Sequence, residues 1–245
     1  MKDKLKILLL AGNTLRAKSY AQYLEHFDES KYEIKGLLYG FDEKDCLIPS
    51  INEETKEYFY NEKLFLPDFT ENIETTFKNN NWHFDKVNDV DVNSENVLKG
   101  LAKIKSDIVV FAGYGGQLLK EKHFESGLHY LHMHPGKLPT ERGSTTIYYS
   151  ILNQRKITVT AFYMTKKIDA GENVLFSEYP VPARGVDIDL WLDNVIRADC
   201  FIKALKEICK GEKSKVSVSE SEEYYVIHPV LKHVAILSLK NKEIE

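Results

Sequence analysis

Leu5-Lys6-Ile7-Leu8-Leu9-Leu10-Ala11-Gly12-Asn13-Thr14 reads as a buried strand running into a tight turn. Residues 5–11 are almost unbroken in apolar character, as a strand covered on both faces requires. A helical pattern follows (Leu15, Ala17, Tyr20, Tyr23, Leu24), and a second apolar run spans Tyr32 to Tyr39. Strand, turn, helix and strand in that order open a doubly wound, mostly parallel α/β sheet. The same opening stretch loosely imitates a signal peptide, but its apolar run is too short and meets no cleavage site. No run in the chain is long enough to span a membrane.

Gly12, Asn13 and Thr14 fall at the carboxyl end of the first strand and the mouth of the first helix. Open α/β sheets bind ligands at such edges, where phosphate or carboxylate meets free N–H groups. These three are therefore candidate substrate-binding residues. The competing reading is a plain turn with Thr14 as the N-cap.

Residues 42–83 are the least legible. A polar opening from Asp42 to Asp45 gives way to Tyr58-Phe59-Tyr60 and Leu64-Phe65-Leu66, and a helix is expected from about Phe69 to Lys78. The aromatics either cover the sheet or line a pocket. Lys86 to Val90 reads as a short strand, and Asn93 or Ser94 caps a helix with Val97, Leu98, Leu101 and Ile104 on one face. Asp107 to Ala112 is a fully apolar central strand. It runs into Gly113-Tyr114-Gly115-Gly116-Gln117-Leu118, whose glycines let a flat ligand approach the backbone. A phosphate loop of the Gly-Lys-Ser/Thr type is absent. Ser144 to Asn153 reads as a helix, Ile157 to Met164 and Val174 to Tyr179 as strands, and Asp187 to Cys209 as a long amphipathic helix. Residues 211–223 read as a polar linker.

Composition narrows the function classes. The 245 residues are 43% apolar and 29% charged, with a net charge of −4. That is ordinary for a globular protein and argues against a nucleic-acid binder. Cys46, Cys200 and Cys209 are odd in number and form no Cys-x-x-Cys pair, which points to reduced thiols in the cytoplasm.

The chemistry concentrates in Leu131-His132-Met133-His134-Pro135-Gly136-Lys137-Leu138-Pro139-Thr140-Glu141-Arg142-Gly143. His132 and His134 share a face of an extended segment, and the two prolines end any regular structure after it. His134 is the candidate acid/base, since an imidazole exchanges protons near neutral pH. Asp169, in the turn Lys166 to Gly171, would fix its tautomer and favour its charged form. His132 would offer an N–H to a developing oxyanion. A metal is the rival reading of His-x-His, but no third ligand stands near, so none is expected.

Strand, Gly-Tyr-Gly-Gly loop, His134-Pro135, Leu138-Pro139, Arg142-Gly143, the Thr158-Val159-Thr160 strand and Asp169-Ala170-Gly171 together resemble the formyltransferase superfamily, over roughly residues 5–185. The resemblance implies a Rossmann-like formyltransferase core with a short C-terminal extension, divided as a catalytic domain over 1–210 and a linker and extension over 211–245. It implies 10-formyltetrahydrofolate as formyl donor, gripped by Tyr114, Gly115, Gly116, Gln117, Leu118, Leu119, Ile168 and Ala170, with His132, His134 and Asp169 as the catalytic trio. Where the family carries Asn and commonly Ser, this chain has His132 and Gly136. Among the acceptors that the family uses, the resemblance implies an amino sugar, most like a nucleotide-linked one for surface glycan synthesis. Arg142 joins Gly12, Asn13 and Thr14 as a substrate contact, and segments 58–66 and 224–238 set acceptor specificity. No nucleic-acid or membrane partner is implied, and a homodimer is left open. The alternatives are a 10-formyltetrahydrofolate hydrolase, a methionyl-tRNA formyltransferase-like protein and an inactive folate-binding protein.

Overall fold

The computed structural model describes residues 4–27, 31–40, 48–211 and 223–240. In chain order the elements are β1 (Leu5–Ala11), α1 (Leu15–His26), β2 (Tyr32–Tyr39), α2 (Glu53–Asn61), α3 (Ile73–Asn79), β3 (His83–Val87), α4 (Glu95–Lys103), β4 (Ile108–Ala112), α5 (Glu121–Glu125) and β5 (Tyr130–His134). There follow β6 (Arg142–Gly143), α6 (Thr146–Gln154), β7 (Lys156–Tyr163), β8 (Asn173–Pro180), a π-helical turn (Ile188–Leu192), α7 (Asp193–Lys210), β9 (Glu223–Tyr224) and α8 (Pro229–Leu237). They gather into two compact units, Met1–Pro49 with Pro67–His132, and Ser50–Leu66 with Met133–Glu245.

In the first unit the strands run parallel in the order β3-β2-β1-β4-β5. Ile7 of β1 pairs with Ile34 on one side and Ile108 on the other. Being central, β1 loses nearly all exposure from Ile7 to Ala11, which is why its apolar run reads so clearly. Each of the larger side chains, Ile7 to Leu10, contributes about 1.5–3 kcal/mol of burial. Thr14 is extended, and its hydroxyl accepts from the Ala17 N–H, so it caps α1. Gln22 of α1 exchanges two hydrogen bonds with the Asp68 backbone, and Lys18 Nζ donates to the Phe69 carbonyl. These bonds account for polar side chains buried on a helix face.

The helix expected from Phe69 begins only at Ile73, because Asn72 supplies the cap to Glu74. The strand expected over 86–90 lies at His83–Val87, paired from Lys35↔His83 to Tyr39↔Val87. It is the edge strand, largely exposed, so it needs no apolar run. Asp42 to Asp45 lie outside the described residues.

In the second unit β7 and β8 pair antiparallel, with a register shift between Ala161 and Phe162. The helix α7 packs on both strands and buries Val195, Ile196, Phe201 and Leu205. The helix expected from Asp187 opens instead as the π-helical turn, with the Asp187 side chain accepting from Leu190 N–H. It ends at Gly211, which takes the left-handed φ of 76° that glycine tolerates. Segment 53–61, unread from sequence, is the helix α2. Its Tyr58 and Phe59 are buried and Tyr60 is exposed. Tyr58 donates to the Pro180 carbonyl, and the Thr55 hydroxyl accepts from Asp187 N–H.

The linker expected over 211–223 lies outside the described residues except at its ends. Beyond it, β9 pairs with β6 and α8 follows, its start capped by His228. Cys200 and Cys209 are free thiols, and burial pushes the Cys200 thiol up to about 12. Cys46 lies outside the described residues. Among the described residues no helix is long and apolar enough to cross a membrane, and no group of three metal-ligating side chains gathers.

His123 of α5 makes the fold sensitive to acid. It is fully buried, with Nδ1 2.9 Å from the Tyr130 hydroxyl and Nε2 3.2 Å from the Val92 carbonyl. Burial holds its pKa below the ordinary value of 6.5, against the weaker pull of the Val92 carbonyl and of Asp91. Below pH 6.5 the unfolded chain therefore takes up a proton that the folded chain declines. Stability then falls as pH drops from 6.5 toward the folded-state value. The urea midpoint is expected to be lower at about pH 5.5 than at about pH 7.5, and His123→Gln, which can keep both hydrogen bonds, should flatten the decline. An equal decline in that variant would remove His123 as a source.

Candidate active site

The chain leaves β5 through a loop tied down by side chains of β7, α6 and β8. The Thr160 hydroxyl donates to the Gly136 carbonyl and accepts from Leu138 N–H, Thr146 donates to the Pro135 carbonyl, and Asn173 Nδ2 donates to the Leu138 carbonyl. The Leu138-Pro139 peptide is cis. From the other side, Arg197 of α7 donates to the Met133 carbonyl and pairs with Asp193. His134 is thus held on a rigid backbone, and its side chain is only 3% exposed.

Both ring nitrogens of His134 face acceptors. Nδ1 lies 3.6 Å from Asp169 Oδ1, and Nε2 lies 2.6 Å from the Glu141 carbonyl. A carbonyl only accepts, so Nε2 carries a hydrogen and Nδ1 is the nitrogen that gains or loses the second proton. Burial holds the His134 pKa below its ordinary value, while Asp169 and the Glu141 carbonyl pull it back up and Arg197 adds to the depression. The arrangement is that of a base kept neutral at rest beside a carboxylate that stabilises its charged form.

Asp169 is placed by backbone. It takes a left-handed φ of 48°, uncommon outside glycine but tolerated by Asp. Its Oδ2 accepts from Gly143 N–H at 2.8 Å, and Arg142 Nη2 donates to the Ile168 carbonyl at 2.8 Å. Within the turn, Thr165 donates to the Ala170 carbonyl. Two residues on, a Cβ at Gly171 would stand 1.7 Å from the Tyr163 carbonyl, so the third position of Asp-Ala-Gly admits no side chain. The strand Arg142–Gly143 therefore clamps the 168–169 turn. Arg142 is itself buried, and one of its guanidinium nitrogens is engaged by that carbonyl.

In the first unit the glycine-rich loop builds a second surface. The Tyr114 hydroxyl accepts from Asn13 N–H and donates to the Gly40 carbonyl at 2.6 Å, and its ring packs so close to Gly12 that a Cβ there would stand 2.8 Å from it. Tyr39 stands edge-on to Tyr114 and donates to Gln117 Oε1, whose amide donates to the Val90 carbonyl. Burial drives the Tyr39 phenol well above its usual value. The residues Gly12 to Thr14 thus have Asn13 N–H and the Thr14 side chain engaged internally. Beyond Tyr114 the loop is open. A Cβ at Gly115 or Gly116 would meet nothing within 4 Å, and Leu118 is exposed while Leu119 is buried. That is room for a flat ring against the backbone, which fits a pterin. His132 is half-buried on β5, its ring 6.0 Å from that of Phe111.

Two groups of residues went unforeseen. Glu141 is buried at 2% exposure, its carboxylate accepting from Lys137 N–H, Ser150 Oγ and Gln154 Nε2. Thr160 and Asn173 brace the loop from the β7–β8 hairpin. Nothing in the sequence distinguishes Glu141 from a solvated loop carboxylate. Tyr39 and Gln117 were visible as types but not as partners.

No family model matches the chain. It is 28% identical over 162 residues to the methionyl-tRNA formyltransferase of Ligilactobacillus salivarius, covering 64% of this chain and 50% of that one. The chain therefore spans about half the length of the curated relatives it matches. Among solved structures, a sugar N-formyltransferase from a Shewanella species aligns over 98% of this chain and 90% of its own, with 14% identity and a TM-score of 0.57. An N-formyltransferase from Helicobacter canadensis, in complex with folinic acid and dTDP-3-aminofucose, aligns over 89% of this chain and 70% of its own, with 16% identity and a TM-score of 0.55. At those identities the likeness is one of fold.

Proposed function

We propose that this chain, placed in the formyltransferase superfamily by its sequence likeness and its fold, moves a formyl group from 10-formyltetrahydrofolate to the amine of a nucleotide-linked amino sugar. The observation that carries the transfer chemistry is the His134–Asp169 pair on a turn locked by Gly143 N–H. The neutral amine attacks the formyl carbon, and a C–N bond forms as the carbonyl becomes an oxyanion. His132 offers that oxyanion an N–H. The amine proton passes to His134 Nδ1, where Asp169 stabilises the imidazolium, and returns to the folate nitrogen as its bond to the formyl carbon breaks. Gly115, Gly116 and the flanking residues 114–119 would hold the donor, which supplies the formyl group.

The amino-sugar acceptor is supported by the full-length structural likeness to a sugar N-formyltransferase and by the acidic charge balance of the chain. A second reading, transfer to methionyl-tRNA, rests on the sequence likeness to those enzymes. Release of tetrahydrofolate, measured with no acceptor, with a panel of nucleotide-linked amino sugars and with methionyl-tRNA, separates them. Release with one amino sugar is the expected result. Release with methionyl-tRNA alone would replace the acceptor, and release with none added would make the protein a hydrolase.

The His132→Asn variant tests the oxyanion donor. The exchange of an imidazole donor for an amide donor is expected to change the pH profile of kcat, with the rate itself shifted by about tenfold or more. An unchanged rate and profile would remove His132 from the chemistry.

A further inference from the structure

We propose that Gly136 and Glu141 are positioning residues that hold the His134 ring on the Glu141 carbonyl, so that protons enter and leave the ring only at Nδ1. The proposal deepens the formyl-transfer reading and rests on it for its catalytic consequence. The space occupied by the Nε2–H···O=C bond is space that a side chain at 136 would take. A Cβ there would stand 2.8 Å from His134 Nε2, 2.8 Å from the Glu141 carbonyl oxygen and 3.0 Å from the Thr146 hydroxyl. Of these neighbours, neither the carbonyl nor the Thr146 hydroxyl is free to retreat. The carbonyl belongs to the backbone, Thr146 is tied to Pro135, and the Gly136 carbonyl is tied to Thr160. Any residue larger than glycine must lift the ring from the carbonyl or push the loop from α6.

The carbonyl is in turn fixed by the side chain of its own residue. A buried carboxylate is costly unless hydrogen-bonded, and Glu141 receives three donors: one from the loop at Lys137 and two from α6 at Ser150 and Gln154. Glu141 N–H also donates to the Lys137 carbonyl at 2.8 Å. The Glu141 carboxylate therefore sets where the 137–141 loop stands on α6, and with it where the ring can bind. Asp169, Glu141 and Arg197 are the charged groups that influence the ring, and of these only Asp169 pairs with Nδ1.

The test reads the ring directly. In protein labelled with nitrogen-15 in histidine, and without folate, the His134 signals (assigned by their loss in His134→Gln) are expected to show hydrogen on Nε2 and a bare Nδ1 at neutral pH. Gly136→Ala and Glu141→Ala should mix the tautomers and lower kcat by about tenfold to a hundredfold with the donor KM little changed. Glu141→Gln, whose amide can be matched by a turned Gln154 amide, should keep the wild-type tautomer. A wild-type ring with hydrogen on Nδ1 alone would overturn the proposal. So would an unchanged tautomer in both alanine variants, whatever their rates. Beyond the assigning variant, the wild-type spectrum needs neither alanine variant to fold and no acceptor to be known, so the ring tautomer is read separately from the formyl-transfer reading.

Discussion

Asp169→Asn is expected to lower kcat by about 10²–10⁴-fold while leaving the fold intact. Asparagine fills the same volume and can still accept from Gly143 N–H through its oxygen, so the turn keeps its clamp. What disappears is the negative charge 3.6 Å from His134 Nδ1. That charge is the largest of the influences raising the His134 pKa against burial. The sign of the pH effect follows. With the carboxylate gone, the folded-state pKa falls further, and the acidic limb of kcat/KM against pH moves to lower pH even as the plateau drops. A carboxylate that merely braced the loop would lower the plateau and leave the limb where it was. A pH profile of kcat/KM for the two proteins separates these, and an unmoved limb would refute the proposed pairing.

Gly143→Ala is expected to lose about 3–5 kcal/mol of stability. Gly143 has a φ of 105°, a conformation that side chains disfavour, and a Cβ there would stand 2.0 Å from the Tyr224 carbonyl oxygen. Neither side can yield cheaply, because both are backbone. The Ser144 N–H already donates to that same carbonyl. Relief requires β6 and β9 to separate, and the Gly143 N–H that holds Asp169 moves with them. The variant should therefore lose activity at temperatures where it is still folded. For a domain stable by about 5–15 kcal/mol, urea unfolding followed by circular dichroism will register the change. Gly115→Ala, where a Cβ meets nothing within 4 Å, should stay within about 0.5 kcal/mol. Equal midpoints for the two variants would show that the strand contact is not as tight as the geometry requires.

Sequence made β1, β2 and β4 legible because central parallel strands are buried on both faces and must be apolar throughout. It misplaced β3 and missed β6 and β9, whose existence depends on a partner far along the chain and on no run of their own. The short helix α5 has no side-chain cap, and α2 is amphipathic on a polar segment, so neither announces itself. In the site, His134 and Asp169 were readable because an imidazole after a strand and a carboxylate before a glycine are rare chemistry in constrained places, and the geometry pairs them. Glu141 was not, since burial of a charged side chain is decided by donors on α6 that no local pattern reveals. Tyr114 was expected in a loop that grips a ligand through backbone. Its side chain instead packs on Gly12 and joins three segments, a role that hydrophobicity alone cannot forecast.

The pairing of β6 with β9 also has a consequence for the order in which the protein is made. Arg142 and Gly143, which clamp the aspartate turn, are synthesised long before Tyr224, the residue that completes their strand pair. A nascent chain that stops between the end of α7 and Tyr224 would hold its histidine, its aspartate and most of its core, yet its clamp strand would present open backbone groups. Ribosome-bound chains arrested before residue 224 should thus bind partners that capture unpaired strands, and release that binding once the tail emerges.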